Sequence, residues 1–164
     1  SARMSAFIAM ETGVSVKNIN CYVLGGHGDS MVPLTRHSNI AGVPLEKYIE
    51  SDKLDAILTR TRKGGGEIVG LLKTGSACYA PSMAVVQMAE AILTDRKLIL
   101  PCAVYLNGEY GQKDIFFGVP VMLGKDGVEK IIEYELTEEE MTALQASADA
   151  VAKSVEELKG LVEL

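Results

Sequence analysis

The sequence of 164 residues is poor in cysteine, and its three cysteines form no Cys-x-x-Cys pair. Cys21, Cys78 and Cys102 each have apolar neighbours, and an odd number of cysteines leaves one without a partner. We therefore predict reduced core cysteines and exclude a disulfide framework. A chain of this length buries enough surface on folding to need no such crosslink. These features are typical of a cytoplasmic protein.

Long apolar runs are also absent from the sequence. No stretch of about 18 uncharged apolar residues occurs, and the first residues show neither a basic region nor an apolar one. We expect neither a membrane span nor a secretion signal. Because the helical pattern begins at Ser1 with no residue ahead of it to cap the helix, we expect the chain to start inside a larger protein.

Positive charge is in deficit, with 16 Lys and Arg against 22 Asp and Glu and a net charge of −6. Lysines and arginines are scattered among the acidic residues, whereas a protein that binds nucleic acid carries a basic patch. We therefore expect no nucleic-acid partner. With 48% hydrophobic residues, positions 1–164 are predicted to form one globular domain.

Hydrophobic periodicity and turn residues predict an α+β fold, with an antiparallel sheet and long flanking helices. The predicted helices are residues 1–13, 52–73, 82–95 and one that opens with the capping box at Thr137. The predicted strands are residues 20–24, a hairpin of 31–36 and 39–44 around His37-Ser38, and a meander of 98–106, 114–123 and 128–135.

Three of these helices have unusual compositions. Gly64-Gly65-Gly66 interrupts the second helix, and because each glycine costs about 1 kcal/mol there, we expect close packing of another backbone or a bend. Helix 82–95 is almost wholly apolar, so we expect it to be buried on several sides. The last helix has a heptad seam that we expect to pack along the domain's own body. The seam comprises Met141, Leu144, Ala148, Val151, Val155, Leu158 and Val162.

His27 is the first candidate for chemistry, because it lies between glycines in the loop Gly25–Ser30 after a predicted strand. An imidazole with a pKa near 6.5 can accept and return a proton at neutral pH. From the residues alone, a proton-transfer role and a surface histidine in a flexible turn both stay open. His37 lies in a polar hairpin, where we expect an ordinary surface residue.

Several other kinds of site do not fit the sequence. His27 and Asp29 are too close in sequence to chelate one ion easily, so no metal site is predicted. Lys63 precedes the glycine triplet, whereas a phosphate-binding loop needs lysine after it. No Gly-x-Gly-x-x-Gly fingerprint for a dinucleotide occurs. Ser76 lacks the second glycine of a nucleophile elbow, so a serine hydrolase is only a distant alternative. Arg3 could hold a carboxylate with its planar fork or be an ordinary solvated arginine.

Three motifs together resemble the C-terminal half of the lactate and malate dehydrogenase family. They are Ser1-Ala2-Arg3, the segment from Leu24-Gly25-Gly26-His27-Gly28-Asp29-Ser30 to Leu34, and the segment from Leu71 through Thr74-Gly75-Ser76-Ala77 to Ser82. The similarity covers the whole chain and is greatest to the lactate-dehydrogenase-like malate dehydrogenases of bacteria. The family's opening motif is Asp-Ser-Ala-Arg, and this chain begins at its serine.

The resemblance implies roles for three residues. His27 corresponds to the catalytic acid and base, which exchanges a proton with the C2 oxygen of the substrate while hydride passes to or from a nicotinamide. Arg3 corresponds to the arginine that clamps the substrate carboxylate. Ser76 corresponds to a position near the substrate or the nicotinamide, although packing or helix capping would equally explain a small hydroxyl there. The residues that bind the cofactor belong mostly to a dinucleotide-binding domain that precedes this one.

The resemblance further implies an NAD-dependent malate dehydrogenase of the tricarboxylic acid cycle, which oxidises (S)-malate reversibly to oxaloacetate. The expected ligands are NAD and a small 2-hydroxy or 2-keto dicarboxylic acid, and the expected assembly is a homodimer or homotetramer in the cytoplasm. Without the preceding domain, and without the aspartate that would orient His27, we expect the chain alone to be inactive. The alternatives are a lactate dehydrogenase of the same branch and a domain that serves assembly only.

Overall fold

In the computed structural model, which describes residues 1–159, the chain forms four α-helices and eight β-strands. The helices are α1 (Ala2–Thr12), α2 (Ser51–Leu72), α3 (Tyr79–Leu93) and α4 (Glu138–Lys159). The short strands are β1 (Ile19–Asn20), β2 (Val23–Leu24), β3 (Val32–Pro33), β4 (Asn39–Ile40) and β5 (Val43–Pro44). The longer strands are β6 (Leu98–Asn107), β7 (Lys113–Gly124) and β8 (Gly127–Ile131). The predicted α+β class and its long helices are confirmed.

The chain divides into two compact units. The first unit comprises Ser1–Val23 and Pro33–Gln87, and the second comprises Leu24–Val32 and the chain from Met88 onward. Because β2 and β3 carry the chain from one unit to the other and back, the loop that contains His27 belongs to the second unit. Arg3 and Ser76 belong to the first unit.

In the first unit, α1 packs antiparallel to α2. The guanidinium of Arg60 lies 4.2 Å from the ring centre of Phe7, and Lys53 forms an ion pair with Glu11 one turn farther along α1. Gly13 ends α1 in the left-handed conformation at φ 71°, as predicted, and its N–H donates to the carbonyl of Ala9. The apolar faces of both helices enter a core that contains Met4, Ile8, Ile19, Cys21, Ile40, Leu45, Ile49 and Ile57.

The predicted hairpin around His37-Ser38 is wrong. Strand β4 pairs antiparallel with both β1 and β5, and the turn between β4 and β5 lies at Ala41-Gly42. The hydroxyl of Ser38 accepts a hydrogen bond from the backbone N–H of Tyr22 and donates one to the carbonyl of Leu34. The backbone N–H of Ser38 donates to the carbonyl of Thr35 and closes a 3-10 turn at Thr35–His37, so this segment is a helical turn and not the tip of a two-stranded ribbon.

In the second unit, β6, β7 and β8 form the predicted antiparallel meander. Helix α4 packs against β7. Its capping box forms as predicted, since Thr137 and Glu140 each accept a hydrogen bond from the other's backbone N–H. The buried residues of this unit include Leu24, Val104, Leu106, Ile115, Phe117, Val119, Val121, Leu123, Leu144 and Ala148.

Among the described residues of the α4 seam, only Leu144 and Ala148 are buried. Leu144 and Ala148 are buried, as expected for packing on the domain's own body, whereas Met141, Val155 and Leu158 are exposed. Val162 lies outside the described residues. The seam therefore packs along the domain where α4 lies against β7.

The predicted burial of the apolar helix is wrong for the chain by itself. Among the residues of α3, only Ala91 is buried. Its exposed large side chains are Tyr79, Met83, Val85, Val86 and Leu93. Apolar composition predicts that a helix needs covering, but it does not identify the surface that covers it.

The cysteines also differ from the prediction in part. All three are free thiols, yet only Cys21 is buried, whereas Cys102 is half-buried and Cys78 is exposed in the segment just before α3. Within residues 1–159, no helix is both long and apolar enough to cross a membrane.

The three thiols should therefore differ in reactivity. Burial raises the pKa of the Cys21 thiol above its ordinary value, and burial also raises the pKa of Cys102. We expect iodoacetamide at neutral pH to alkylate Cys78 first and Cys21 last, because the thiolate is the reactive form and must be accessible. Mass spectrometry of tryptic peptides would measure the order, with the chain unfolded in guanidinium chloride as the control. Equal labelling of Cys21 and Cys78 in the folded chain would contradict this arrangement.

Candidate active site

His27 projects from a glycine-rich loop whose conformation is fixed at its base. Gly25 and Gly28 have φ values of 93° and 99°, which residues with a Cβ rarely adopt. The N–H of Gly25 donates to the carbonyl of Gly118 in the middle of β7, at 2.8 Å. His27 itself is exposed. The loop therefore presents the imidazole at the surface from a backbone that is held against the sheet.

A second contact holds the next residue of this loop. The N–H of Gly26 donates to the hydroxyl of Ser147 on α4, at 2.9 Å, and Ser147 is 1% exposed. A Cβ on Gly25 would lie 2.6 Å from this hydroxyl oxygen, and a Cβ on Gly118 would overlap the carbonyl oxygen of Gly25. The loop, β7 and α4 can approach this closely only because glycine occupies both positions.

The His27 imidazole is available to a ligand. No side chain within residues 1–159 forms a hydrogen bond or an ion pair with it, and Asp29, two residues farther along the loop, is exposed as well. Neither ring nitrogen is engaged by the described part of the chain. One nitrogen can thus exchange a proton with a ligand. The other can form a hydrogen bond to a group outside the described residues, and that bond would orient the ring.

Arg3 lies along the glycine-containing part of α2. One guanidinium N–H donates to the carbonyl of Thr61 at 2.9 Å, and a Cβ on Gly64 would lie 2.6 Å from Cδ of Arg3. The glycine triplet was expected to admit another backbone or a bend. The close neighbour at Gly64 is instead the side chain of Arg3, and α2 runs without interruption from Ser51 to Leu72. The remaining guanidinium donors are left for an anion.

Ser76 lies in the segment between α2 and α3, after Gly75 with a φ of 91°. It is exposed, and α3 begins only at Tyr79, so Ser76 does not precede the helix directly. Packing and helix capping, the structural explanations for a small hydroxyl at this position, therefore do not apply to the described chain. A role in contacting a ligand stays a prediction.

Sequence patterns missed the residues that support His27 and Arg3. Gly118 carried a usable signal, because glycine inside a strand often marks close approach of another backbone. Gly64 was recognised as unusual, but its partner was not. Ser147 gave no signal, since a serine within an amphipathic helix is ordinary and its partner Gly26 is 121 residues away.

The described residues fit neither a metal nor the diphosphate of a dinucleotide. Within residues 1–159, no group of three or more His, Cys, Asp or Glu side chains could hold a metal ion. The β1-β4-β5 and β6-β7-β8 sheets are antiparallel, whereas a dinucleotide-binding fold uses parallel strands with a glycine fingerprint at the first turn. Among the described residues, the exposed imidazole of His27 can transfer a proton, and the guanidinium of Arg3 can bind an anion.

Family, sequence and structure comparisons all match this chain to lactate or malate dehydrogenases. The family described as lactate/malate dehydrogenase, alpha/beta C-terminal domain, matches residues 1–162. A malate dehydrogenase of Roseiflexus castenholzii is 59% identical over 97% of this chain and 52% of its own length. The solved structure of the Salinibacter ruber malate dehydrogenase is 46% identical, with a TM-score of 0.95 over 98% of this chain and 52% of that chain.

A lactate dehydrogenase is also similar in structure. The Eimeria maxima enzyme, solved with NADH and oxamate, is 37% identical and has a TM-score of 0.95 over 98% of this chain and 52% of that chain. The present chain spans about half the length of the curated relatives that it matches.

The packing of Arg3 on Gly64 can be tested by comparing two alanine substitutions in α2. A Cβ added at Gly66 would have no neighbouring atom within 4 Å, so Gly66→Ala should stabilise the chain by up to about 1 kcal/mol through helix propensity alone. Gly64→Ala should lose this gain, because the new methyl group displaces Arg3. Urea denaturation would measure both free energies of unfolding.

The same two substitutions should also be compared in an Arg3→Ala variant. With the arginine side chain removed, Gly64→Ala should stabilise the chain about as much as Gly66→Ala does. If Gly64→Ala and Gly66→Ala have equal effects whether or not Arg3 is present, the contact does not restrain the arginine.

Proposed function

Because the chain belongs to the lactate/malate dehydrogenase family, as an α/β C-terminal domain, we propose that it supplies the substrate-binding and catalytic residues of an NAD-dependent malate dehydrogenase. The complete enzyme would interconvert (S)-malate and oxaloacetate, for which NAD would supply the hydride-accepting chemistry. The cofactor is held by a dinucleotide-binding half that precedes these 164 residues. The chain alone is then inactive. The observation that carries the proposal is an exposed imidazole on a loop fixed by two neighbouring elements.

In this proposal His27 is the proton-transfer group. When malate is oxidised, the neutral imidazole takes the proton of the C2 hydroxyl, and when oxaloacetate is reduced, the imidazolium returns a proton to the C2 oxygen. The free ring nitrogens and the fixed loop suit this role, because a proton donor must be held within hydrogen-bonding distance of the reacting oxygen.

Arg3 binds the carboxylate next to C2 in the same proposal. Its bond to the carbonyl of Thr61 and its packing on Gly64 fix the direction of the guanidinium. A planar fork held in this way can form two parallel hydrogen bonds with a carboxylate and so sets the orientation of the substrate. Ser76 contributes a hydroxyl near the substrate or the nicotinamide.

Lactate dehydrogenase is the alternative activity, and the similarity to the Eimeria maxima enzyme favours keeping it. Malate is preferred because the curated relatives with 50–59% identity are malate dehydrogenases. The second carboxylate of malate would be recognised by an arginine in the dinucleotide-binding half. We place the enzyme in the cytoplasm and in the tricarboxylic acid cycle.

His27→Asn should abolish turnover, with a loss of about 100-fold or more, because asparagine cannot exchange the proton. The test protein is this chain joined to the amino-terminal half of the Roseiflexus castenholzii malate dehydrogenase, termed here the joined enzyme. NADH absorbance follows the reduction of oxaloacetate, and NADH fluorescence measures cofactor affinity, which the substitution should leave unchanged.

The second histidine of the chain provides the matched control for this test. His37→Asn removes an imidazole from the 3-10 turn of the first unit and should leave the rate near normal. Near-normal turnover of the His27→Asn enzyme would contradict the assignment of His27.

The exposed apolar side chains of α3 support a homodimer or homotetramer, since apolar surface of this kind is normally covered in an assembly. We expect the joined enzyme to sediment as a dimer or a tetramer at micromolar concentrations in analytical ultracentrifugation. A strictly monomeric species would remove both the assembly proposal and the alternative that this domain serves assembly only.

A further inference from the structure

We propose that Ser147 is a positioning residue for His27, which it holds through the backbone of the preceding residue. The hydroxyl oxygen of Ser147 accepts the N–H of Gly26, directly before the imidazole-bearing residue. The catalytic consequence rests on the function proposed for His27. The restraint on the loop is a property of this chain and does not depend on that function.

Two consecutive amides of the loop are held by different elements. The N–H of Gly25 donates to the backbone of β7 at Gly118, and the N–H of Gly26 donates to the side chain of Ser147 on α4. Because each bond removes freedom from a different peptide group, the two together fix the path of the chain as it enters His27. Either bond alone would leave one of these peptides able to rotate.

Helix α4 holds the serine in place through its apolar seam. Ser147 lies three residues after Leu144 and directly before Ala148, and all three are buried. Residues three positions apart share one face of a helix, so packing of this face of α4 on β7 directs residue 147 to the interior. A helix more than 100 residues away in sequence thus becomes part of the support for His27.

The fit of Ser147 depends on its size as well as on its hydroxyl. The positions where Gly25 and Gly26 would carry a Cβ lie 2.6 Å and 3.5 Å from the hydroxyl oxygen. The oxygen therefore occupies space that glycine leaves open. Alanine at position 147 would keep the packing of the helix but remove the acceptor, so that the Gly26 N–H is left without a partner in a partly buried setting.

The first test uses the full chain of 164 residues and needs no catalysis. In Ser147→Ala, amide hydrogen exchange at Gly26 should accelerate about 2- to 10-fold, as expected for one lost hydrogen bond. The backbone order parameter of His27 should fall in the same variant. Ser147→Cys fills a similar volume with a weaker acceptor and should give intermediate values.

Ser154→Ala is the matched control, because Ser154 lies two turns later on α4, is exposed, and donates only to the carbonyl of Ala150 in its own helix. It should leave Gly26 and His27 unchanged. Unchanged exchange at Gly26 and an unchanged order parameter at His27 in Ser147→Ala would overturn the proposal, whatever the activity of the complete enzyme.

The second test measures catalysis in the joined enzyme. Ser147→Ala should lower kcat for oxaloacetate reduction about 10-fold, while KM for NADH stays the same, because a displaced proton donor affects the chemical step and leaves cofactor binding intact. A general loss of structure would instead change both constants. A looser loop with unchanged kcat would overturn the positioning role. If the unsubstituted joined enzyme shows no turnover, that result counts against the proposed function. Amide hydrogen exchange at Gly26 would still show whether Ser147 restrains the loop.

Discussion

The contact between the backbones of Gly25 and Gly118 determines what the second unit can present at its surface. A hydrogen bond of 2.8 Å joins the loop to the middle of β7, and a side chain on Gly118 would overlap the Gly25 carbonyl. Only with glycine at this point can the loop lie against the strand, where the Ser147 hydroxyl reaches its next amide. The fixed path of the chain that leads to the exposed His27 follows from this close approach.

In the first unit, too, a glycine leaves space for a neighbouring group, which here is a side chain and not a backbone. Gly64 leaves room on α2 for the side chain of Arg3, and the carbonyl of Thr61 accepts one of its hydrogen bonds. In each unit a glycine leaves space beside the backbone or side chain of a candidate site residue, at a cost in helix or strand propensity of about 1 kcal/mol. Such a cost is reasonable where the direction of a proton donor or of a guanidinium decides whether a substrate is bound productively.

Local patterns predicted the parts of the fold that local interactions determine. Apolar periodicity identified the helices, and the capping box at Thr137 identified the start of α4. The hairpin was wrong because β4 pairs with β1 and the Ser38 hydroxyl accepts the N–H of Tyr22, and both partners lie in a segment that no local pattern relates to residues 38–40. His27 and Arg3 were already candidates from the residues themselves, and family resemblance gave their roles and that of Ser76. The supports of His27 and Arg3 depend on packing between distant segments, which a single sequence does not show.

Substrate preference tests most directly the proposal that these residues serve a malate dehydrogenase. The measurement is kcat/KM of the natural enzyme of which this chain is the proposed C-terminal half, with NADH and oxaloacetate compared with NADH and pyruvate. Its own dinucleotide-binding half is needed, because a half taken from a known malate dehydrogenase would impose that enzyme's preference. A complete malate dehydrogenase would reduce oxaloacetate with the higher kcat/KM. A higher kcat/KM for pyruvate would contradict malate as the substrate and identify a lactate dehydrogenase, and an enzyme that binds NADH but reduces neither acid would contradict the catalytic assignment altogether.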